Sequence, residues 1–360
     1  VEAGNFGYAM FESMLNMPVS DTFAVRVAGR LKKRDGFVEN LLGGKDFNST
    51  NTAAGRVVLN WRPTEKLSAD LIYNYERDRP SGTSFKSLTY LPTNPTTGAV
   101  IGDLGRNSGA ALSASDGFEG GKDLGLDRTV WGVTALVDYT ISDSLSLSSI
   151  TAYREFDSLE VFDADGFSLP LFVFAEDAQG KQTSQELRLN YDGGGKLTAF
   201  GGVSYFHEDG FQRVPLQFNE KIFALHSAGV MPKPRGLSLP VINALAPAAL
   251  KSAHRETSAN YGETTAYDVF ADATYKLTDK LELTGGVRYT HDDKTSGYGA
   301  RLENGGSVAG GSTPTLARGL FLQPTKNGLP EYQDLTDEGL TYRVVGRYAA
   351  SEQLSFYASY

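Results

Sequence analysis

From Tyr267 to Tyr289 the chain alternates between uncharged and polar positions. The odd positions are Tyr267, Val269, Ala271, Ala273 and Tyr275 before the turn "LTDK", then Leu281, Leu283, Gly285, Val287 and Tyr289 after it. The even positions carry Asp268, Phe270, Asp272, Thr274 and Lys276, then Glu282, Thr284, Gly286, Arg288 and Thr290. Successive side chains of a strand point to opposite faces, so this period predicts a β-hairpin with one apolar and one polar face. If "TDK" closes the hairpin, Lys276 lies across from Glu282 and Asp272 sits diagonal to Arg288, both favourable cross-strand pairs.

The turn phrase returns along the chain as "PVSDTF" from Pro18, "RPTEKL" from Arg62, "ISDSL" from Ile141, "YDGGGKL" from Tyr191, "LTDKL" from Leu277 and "AASEQL" from Ala349. All but the glycine version place Ser or Thr before Asp or Glu, residues that close turns by bonding the local backbone. Alternating segments flank each turn, among them "AVRVAGRL", "LSADLIYNYE", "TVWGVTALVDYT", "SQELRLNY" and "LTYRVVGRYA". The pattern predicts about twelve strands in six hairpins. The other connections are long, over 35–51, 78–127, 158–180, 209–262 and 294–337. Tight turns at one end and long loops at the other describe an up-and-down antiparallel sheet with two unlike ends. Loops of this length are usually functional.

Alternation alone also fits a soluble sandwich. Three features favour a transmembrane β-barrel: strands of ~10 residues or more, the strict tight-turn and long-loop sequence, and aromatic residues near strand ends on the apolar face. The candidate aromatic girdle is Trp61, Tyr73, Tyr75, Tyr139, Tyr153, Tyr191, Tyr205, Tyr289 and Tyr348. The polar face would line a lumen, with Arg154, Glu186, Arg188, Asp268, Asp272, Arg288, Arg343 and Arg347 as lumen-facing candidates. Arg26, Arg30, Arg56, Asp70, Glu76 and Asp138 fall on the same face. The plain reading of these charges is mutual pairing that stiffens and hydrates the wall.

Composition narrows the picture. The 34 Lys and Arg against 43 Asp and Glu give a net charge of −9, which argues against nucleic acid as a partner. There is no cysteine, hence no disulfide framework, thiolate nucleophile or cysteine metal site. No apolar run is long enough for a membrane-spanning helix, and the mean hydropathy of −0.28 resembles that of a soluble protein. A barrel needs apolar residues only at alternate positions, so neither observation bears on it.

Chemical motifs are weak. "HED" at His207 and "HDD" at His291 read as hydrated strand ends, since a stable metal site needs three or four convergent ligands. "FDADGF" at Phe162 lacks the spacing of a calcium loop, and "GGGK" at Gly193 lacks that of a phosphate loop; both read as turns. No nucleophile elbow occurs, so no enzyme, no cofactor and no metal site is expected. The 209–262 loop, with "VINALAPAAL", is expected to form a short helix in part and to pack on neighbouring loops, the alternative being closure over a bound ligand.

"GNFGYAMFESMLNMPVSDTFAVRVAGRLKKRDGFVEN" resembles the first barrel hairpin of TonB-dependent outer-membrane receptors. "RVVLNWRPTEKLSADLIYNY", "SLSSITAYREFDS", "TSQELRLNY" and "DVFADATYKLTDKLELTGGVRYTHDDK" are similar to successive barrel segments of that family. The resemblance implies a barrel of roughly 22 strands in the bacterial outer membrane, its lumen closed by an N-terminal plug. It also implies import of a scarce ligand, most commonly a ferric siderophore and otherwise cobalamin or a saccharide, driven by an inner-membrane TonB complex. Residues 1–360 are accordingly expected to be a partial barrel domain, with the plug, the TonB-contact segment and the C-terminal strands not present. The alternatives are a passive porin-like channel and a soluble β-rich binding protein.

Overall fold

A computed structural model describes residues 1–115 and 117–360. Its strands are β1 (Glu2–Gly4), β2 (Tyr8–Ser20), β3 (Phe23–Arg34), β4 (Thr50–Thr64), β5 (Leu67–Asp78), β6 (Gly125–Ser142) and β7 (Leu145–Asp163). They continue as β8 (Phe172–Asp192), β9 (Leu197–Phe218), β10 (His254–Lys276), β11 (Leu281–Leu302), β12 (Glu331–Ser351) and β13 (Leu354–Ser359). All 13 form one antiparallel sheet in sequential order, each strand bonded to its chain neighbours. The expected up-and-down topology is therefore present, with one short strand more than the twelve predicted.

The six predicted turns connect the hairpins, and at Ser20, Thr64, Thr278 and Ser351 the hydroxyl bonds the local backbone as expected. Thr64 Oγ1 accepts from the Lys66 and Leu67 amides, and Thr278 Oγ1 from those of Lys280 and Leu281. Gly194 occupies the left-handed region at φ 67° in the glycine turn, where the Asp192 carboxylate accepts its amide.

The long connections need correction. Strands β7 to β12 run well beyond the expected boundaries, to 19–23 residues each. The loop expected over 158–180 shrinks to 164–171, and those over 209–262 and 294–337 shrink to 219–253 and 303–330. Backbone ladders do not require alternating side chains, so pairing continues where both faces are polar.

The loops carry the only sizeable apolar cores among the described residues. Helices α1 (Glu220–Ser227) and α2 (Leu239–Leu245) lie in the β9–β10 loop. Their Ile222, Leu225 and Ile242 pack with Tyr90, Leu169 and Met231 from three other places in the loops. This is the expected helix and the expected loop-on-loop packing. A second cluster buries Phe118 of the β5–β6 loop against Val161, Val173 and Ala175 of β7 and β8.

Candidate functional site: the charged wall and its loop cap

Register settles which residues share a face. From β2 to β11 odd residues pair with odd; between β11 and β12 the register is Leu283↔Gly346 and Gly286↔Arg343, so parity flips there. Arg154, Glu186, Arg188, Asp268, Asp272, Arg288, Arg343 and Arg347 consequently lie on one face. Trp61, Tyr73, Tyr75, Tyr139, Tyr153, Tyr191, Tyr205, Tyr289 and Tyr348 lie on the other. Neighbours in sequence show the contrast: Asp268 is 6% exposed and Val269 58%.

The apolar face carries aromatic residues at two levels. Trp61, Tyr139, Tyr191, Tyr275 and Tyr348 sit beside the tight turns, and Tyr75, Trp131, Tyr153, Tyr205, Tyr267 and Tyr289 lie farther up. Trp131 stands 5.2 Å from Tyr153, and Tyr205 5.4 Å from Tyr267. Trp131, Tyr267 and Tyr275 are absent from the girdle expected above, although parity alone places them on that face. Between the two levels, from β3 to β12, this face holds no charged residue among those described.

On the charged face the hairpin register is as expected, but the partners differ. Arg288 binds Asp268, not Asp272, through Nε at 2.8 Å and Nη2 at 2.6 Å. Asp268 wins because Ser204 and Thr290 also donate to it, at 2.6 and 2.5 Å, giving one carboxylate a full set of donors. Asp272 instead binds Arg343 of β12 at 2.7 Å, reaching past Gly286, whose missing side chain leaves the gap. Glu282 pairs with Arg347 at 3.3 Å rather than with Lys276. Arg188 lies over the Phe200 ring, 5.6 Å from its centroid. For Arg154 and Glu186 no ion pair exists among the described residues.

At the loop end, buried polar groups tie the loops to the strands. Glu256 of β10 is fully buried; its carboxylate accepts the amides of Leu320, Phe321 at 3.2 Å and Leu322 at 2.7 Å, and faces His254 Nε2 at 3.1 Å. Burial would push the Glu256 carboxyl up, but these hydrogen bonds to its charged form prevail and hold it below the usual range. Glu220 of α1 accepts from the Lys251 amide at 2.7 Å and from Ser307 Oγ at 2.6 Å. Arg213 of β9 bridges Glu119 at 2.6 Å and Asp177 at 2.9 Å, fastening the β5–β6 loop across the strands. Nothing local in the sequence marks these contacts.

"FDADGF" is a turn, as expected, and also a buried one. Asp163 accepts the Ser113 amide at 2.8 Å, and Asp165 those of Phe167 and Phe172 at 2.7 Å each. Burial first, and then the Asp165 charge, push Asp163 up to about 9; burial pushes Asp165 to about 6. His291 bonds to Glu338 at 3.1 Å and Asp293 at 3.2 Å, and His207 to Thr265 at 2.9 Å.

Residues 69–360 match the family model described as TonB dependent receptor-like, beta-barrel. The chain belongs to the TonB-dependent receptors. Among curated proteins none matches it. Solved structures share the fold: the ferric yersiniabactin uptake receptor of Yersinia pestis has a TM-score of 0.65 at 16% identity, covering 99% of this chain and 44% of that one. The siderophore receptor PiuA of Acinetobacter baumannii gives 0.61 at 12%, covering 99% and 47%. The ferric-catecholate import receptor Fiu of E. coli K12 gives 0.56 at 14%, covering 99% and 53%. The chain thus spans about half the length of these structures.

Proposed function

We propose that this TonB-dependent receptor chain is part of the barrel of a bacterial outer-membrane importer, binding a scarce ligand and admitting it with TonB-supplied energy. A ferric siderophore is the ligand class that the named relatives favour. In this reading the apolar face meets lipid and the charged face lines the lumen. The tight turns are periplasmic, the loop cap is extracellular, and the plug and TonB contact lie outside these 360 residues.

The observation that carries the reading is the spacing of the two aromatic levels. Tyr139 to Trp131 and Tyr275 to Tyr267 are each eight residues, about 26 Å along a strand at ~3.3 Å per residue. At a tilt of ~40° that is about 20 Å along the normal, which with the rings' own reach is comparable with the ~25 Å apolar band of such barrels. The test is uptake of radiolabelled ferric siderophores by cells with and without the full-length gene under iron limitation. Import that needs the gene and stops when the proton gradient is collapsed supports the proposal. Gradient-independent passage, with steady ion conductance in planar bilayers, would establish a passive channel instead.

A further inference from the structure

The two halves of the charged wall are built differently. Across β10, β11 and β12 the arginines are neutralised one by one, as Asp268–Arg288, Asp272–Arg343 and Glu282–Arg347. A wall that needs only stiffness and hydration is completed this way. Across β3 to β7 the arginines are left in part without acids. Arg56 Nε donates at 2.6 Å to the neutral amide of Asn74, and Arg154 has no acidic partner among the described residues. Arg30 reaches Glu76 only at 3.8 Å, while Arg128 is committed to Asp78 at 2.5 Å.

These arginines surround a recess of about 890 Å³. Its floor is flat because the residues between them are small: Ala28, Ala54, Gly132 and Ala152. Register puts Arg56, Asn74, Gly132 and Arg154 in one row across β4 to β7. With strands ~4.8 Å apart, the Arg56 and Arg154 backbones stand roughly 14 Å from one another, with Asn74 and Gly132 between. A ligand several ångströms across can lie on the bare backbone at Gly132, with the Arg154 guanidinium on one side and that of Arg56, beside Asn74, on the other. Each planar fork matches a carboxylate with two parallel hydrogen bonds. Arg30 and Arg128 face Glu76 and Asp78, and Glu12 alone does not cancel both Arg56 and Arg154.

We propose that this recess is a binding subsite for the carboxylate-rich part of a small polyanionic ligand, with Arg56 and Arg154 as its paired anchors. The subsite rests on the part of that reading in which the charged face lines the passage that ligand takes.

The probe is tricarballylate, a metal-free tricarboxylate, titrated calorimetrically into the purified full-length receptor. Tricarballylate should bind and its trimethyl ester should not. Losing a charged hydrogen-bond partner should weaken binding about tenfold or more in Arg154→Gln and in Arg56→Gln. Arg106→Gln, on an exposed loop away from the recess, should leave it unchanged. Neither Arg56 nor Arg154 makes an ion pair among the described residues, so both variants should keep the wild-type unfolding midpoint. Equal binding of acid and ester, no binding of the acid, or equal weakening by Arg106→Gln overturns the subsite. Import that proceeds without tricarballylate binding sinks the subsite alone; binding without energised import sinks the functional reading and leaves the subsite standing.

Discussion

Replacing Glu256 should free the β11–β12 loop without unfolding the sheet. The carboxylate is the buried acceptor for three consecutive amides, those of Leu320, Phe321 and Leu322, and it has His254 at its side. A hydrogen bond to a charged group contributes roughly 1.5–3 kcal/mol, and the 3.2 Å contact to Phe321 is the weakest of the set. Counting two effective amides, Glu256→Ala should lower the free energy of opening residues 318–323 by about 3–6 kcal/mol, speeding exchange of those amides about 10²- to 10⁴-fold. The stacking of Phe321 on Phe172, at 4.9 Å, offers only ~0.5–1.5 kcal/mol and cannot hold the segment alone. Glu256→Gln keeps one acceptor oxygen but turns its NH₂ toward an amide donor, so it should lose about half as much. The ladders of β10 with β9 and β11 do not involve the side chain, so the global unfolding midpoint should stay put. The pH dependence has a definite sign. The folded carboxyl titrates below its unfolded range, so its contribution is present above that range and is lost as pH falls through the lower folded value. Protection, corrected for intrinsic exchange, should therefore stay level from pH 7 to 5. Unaltered exchange of Leu320 and Leu322 in Glu256→Ala would refute the role given to this carboxylate.

Three further outcomes follow from other parts of the wall and cap. Val269→Arg, on the apolar face, should cost about 2–4 kcal/mol in urea titrations of the full-length protein folded into liposomes, whereas Thr134→Arg on the charged face should cost under ~1 kcal/mol; equal costs would contradict the assignment of faces. A methyl at Gly286 would meet both the Asp272 carboxylate and the Arg343 side chain, so Gly286→Ala should destabilise by about 1–3 kcal/mol and by much less in an Asp272→Ser background. Additive losses would show that the gap is not what the bridge needs. Asp163 and Asp165 titrate as a pair above the unfolded carboxylate range, so their contribution is complete at low pH and declines as pH rises through about 6 and then about 9. Exchange protection of 164–171 should fall from pH 5 to 9 in the wild type and fall less in Asp163→Asn, where only the buried Asp165 still titrates; protection that rises with pH would count against it.

What the sequence discloses here depends on how many solvents a strand meets. Between the aromatic levels one face is apolar and the other wet, so Val269 and Asp268 cannot exchange places, and parity alone recovers the faces and the register. The turns are equally legible, because Thr64 and Thr278 act on amides two and three residues away. Beyond the upper level both faces are polar or covered by loops. "AEDAQGK" at the start of β8 then reads as loop although it belongs to the ladder with β7 and β9, and the 158–180 connection is overestimated. The cap is illegible for a different reason. Glu256 meets Leu320 and Glu220 meets Ser307 across 64 and 87 residues, distances at which no periodicity operates. Even within the readable hairpin, the partner of Arg288 is chosen by Ser204, which lies 64 residues from Asp268 and belongs to another hairpin. Local pattern thus determines which way a charge points, and the neighbouring strand determines what it binds. The same division explains the recess: parity puts Arg56 and Arg154 on one face, but only the register through Asn74 and Gly132 makes them opposite sides of a single floor.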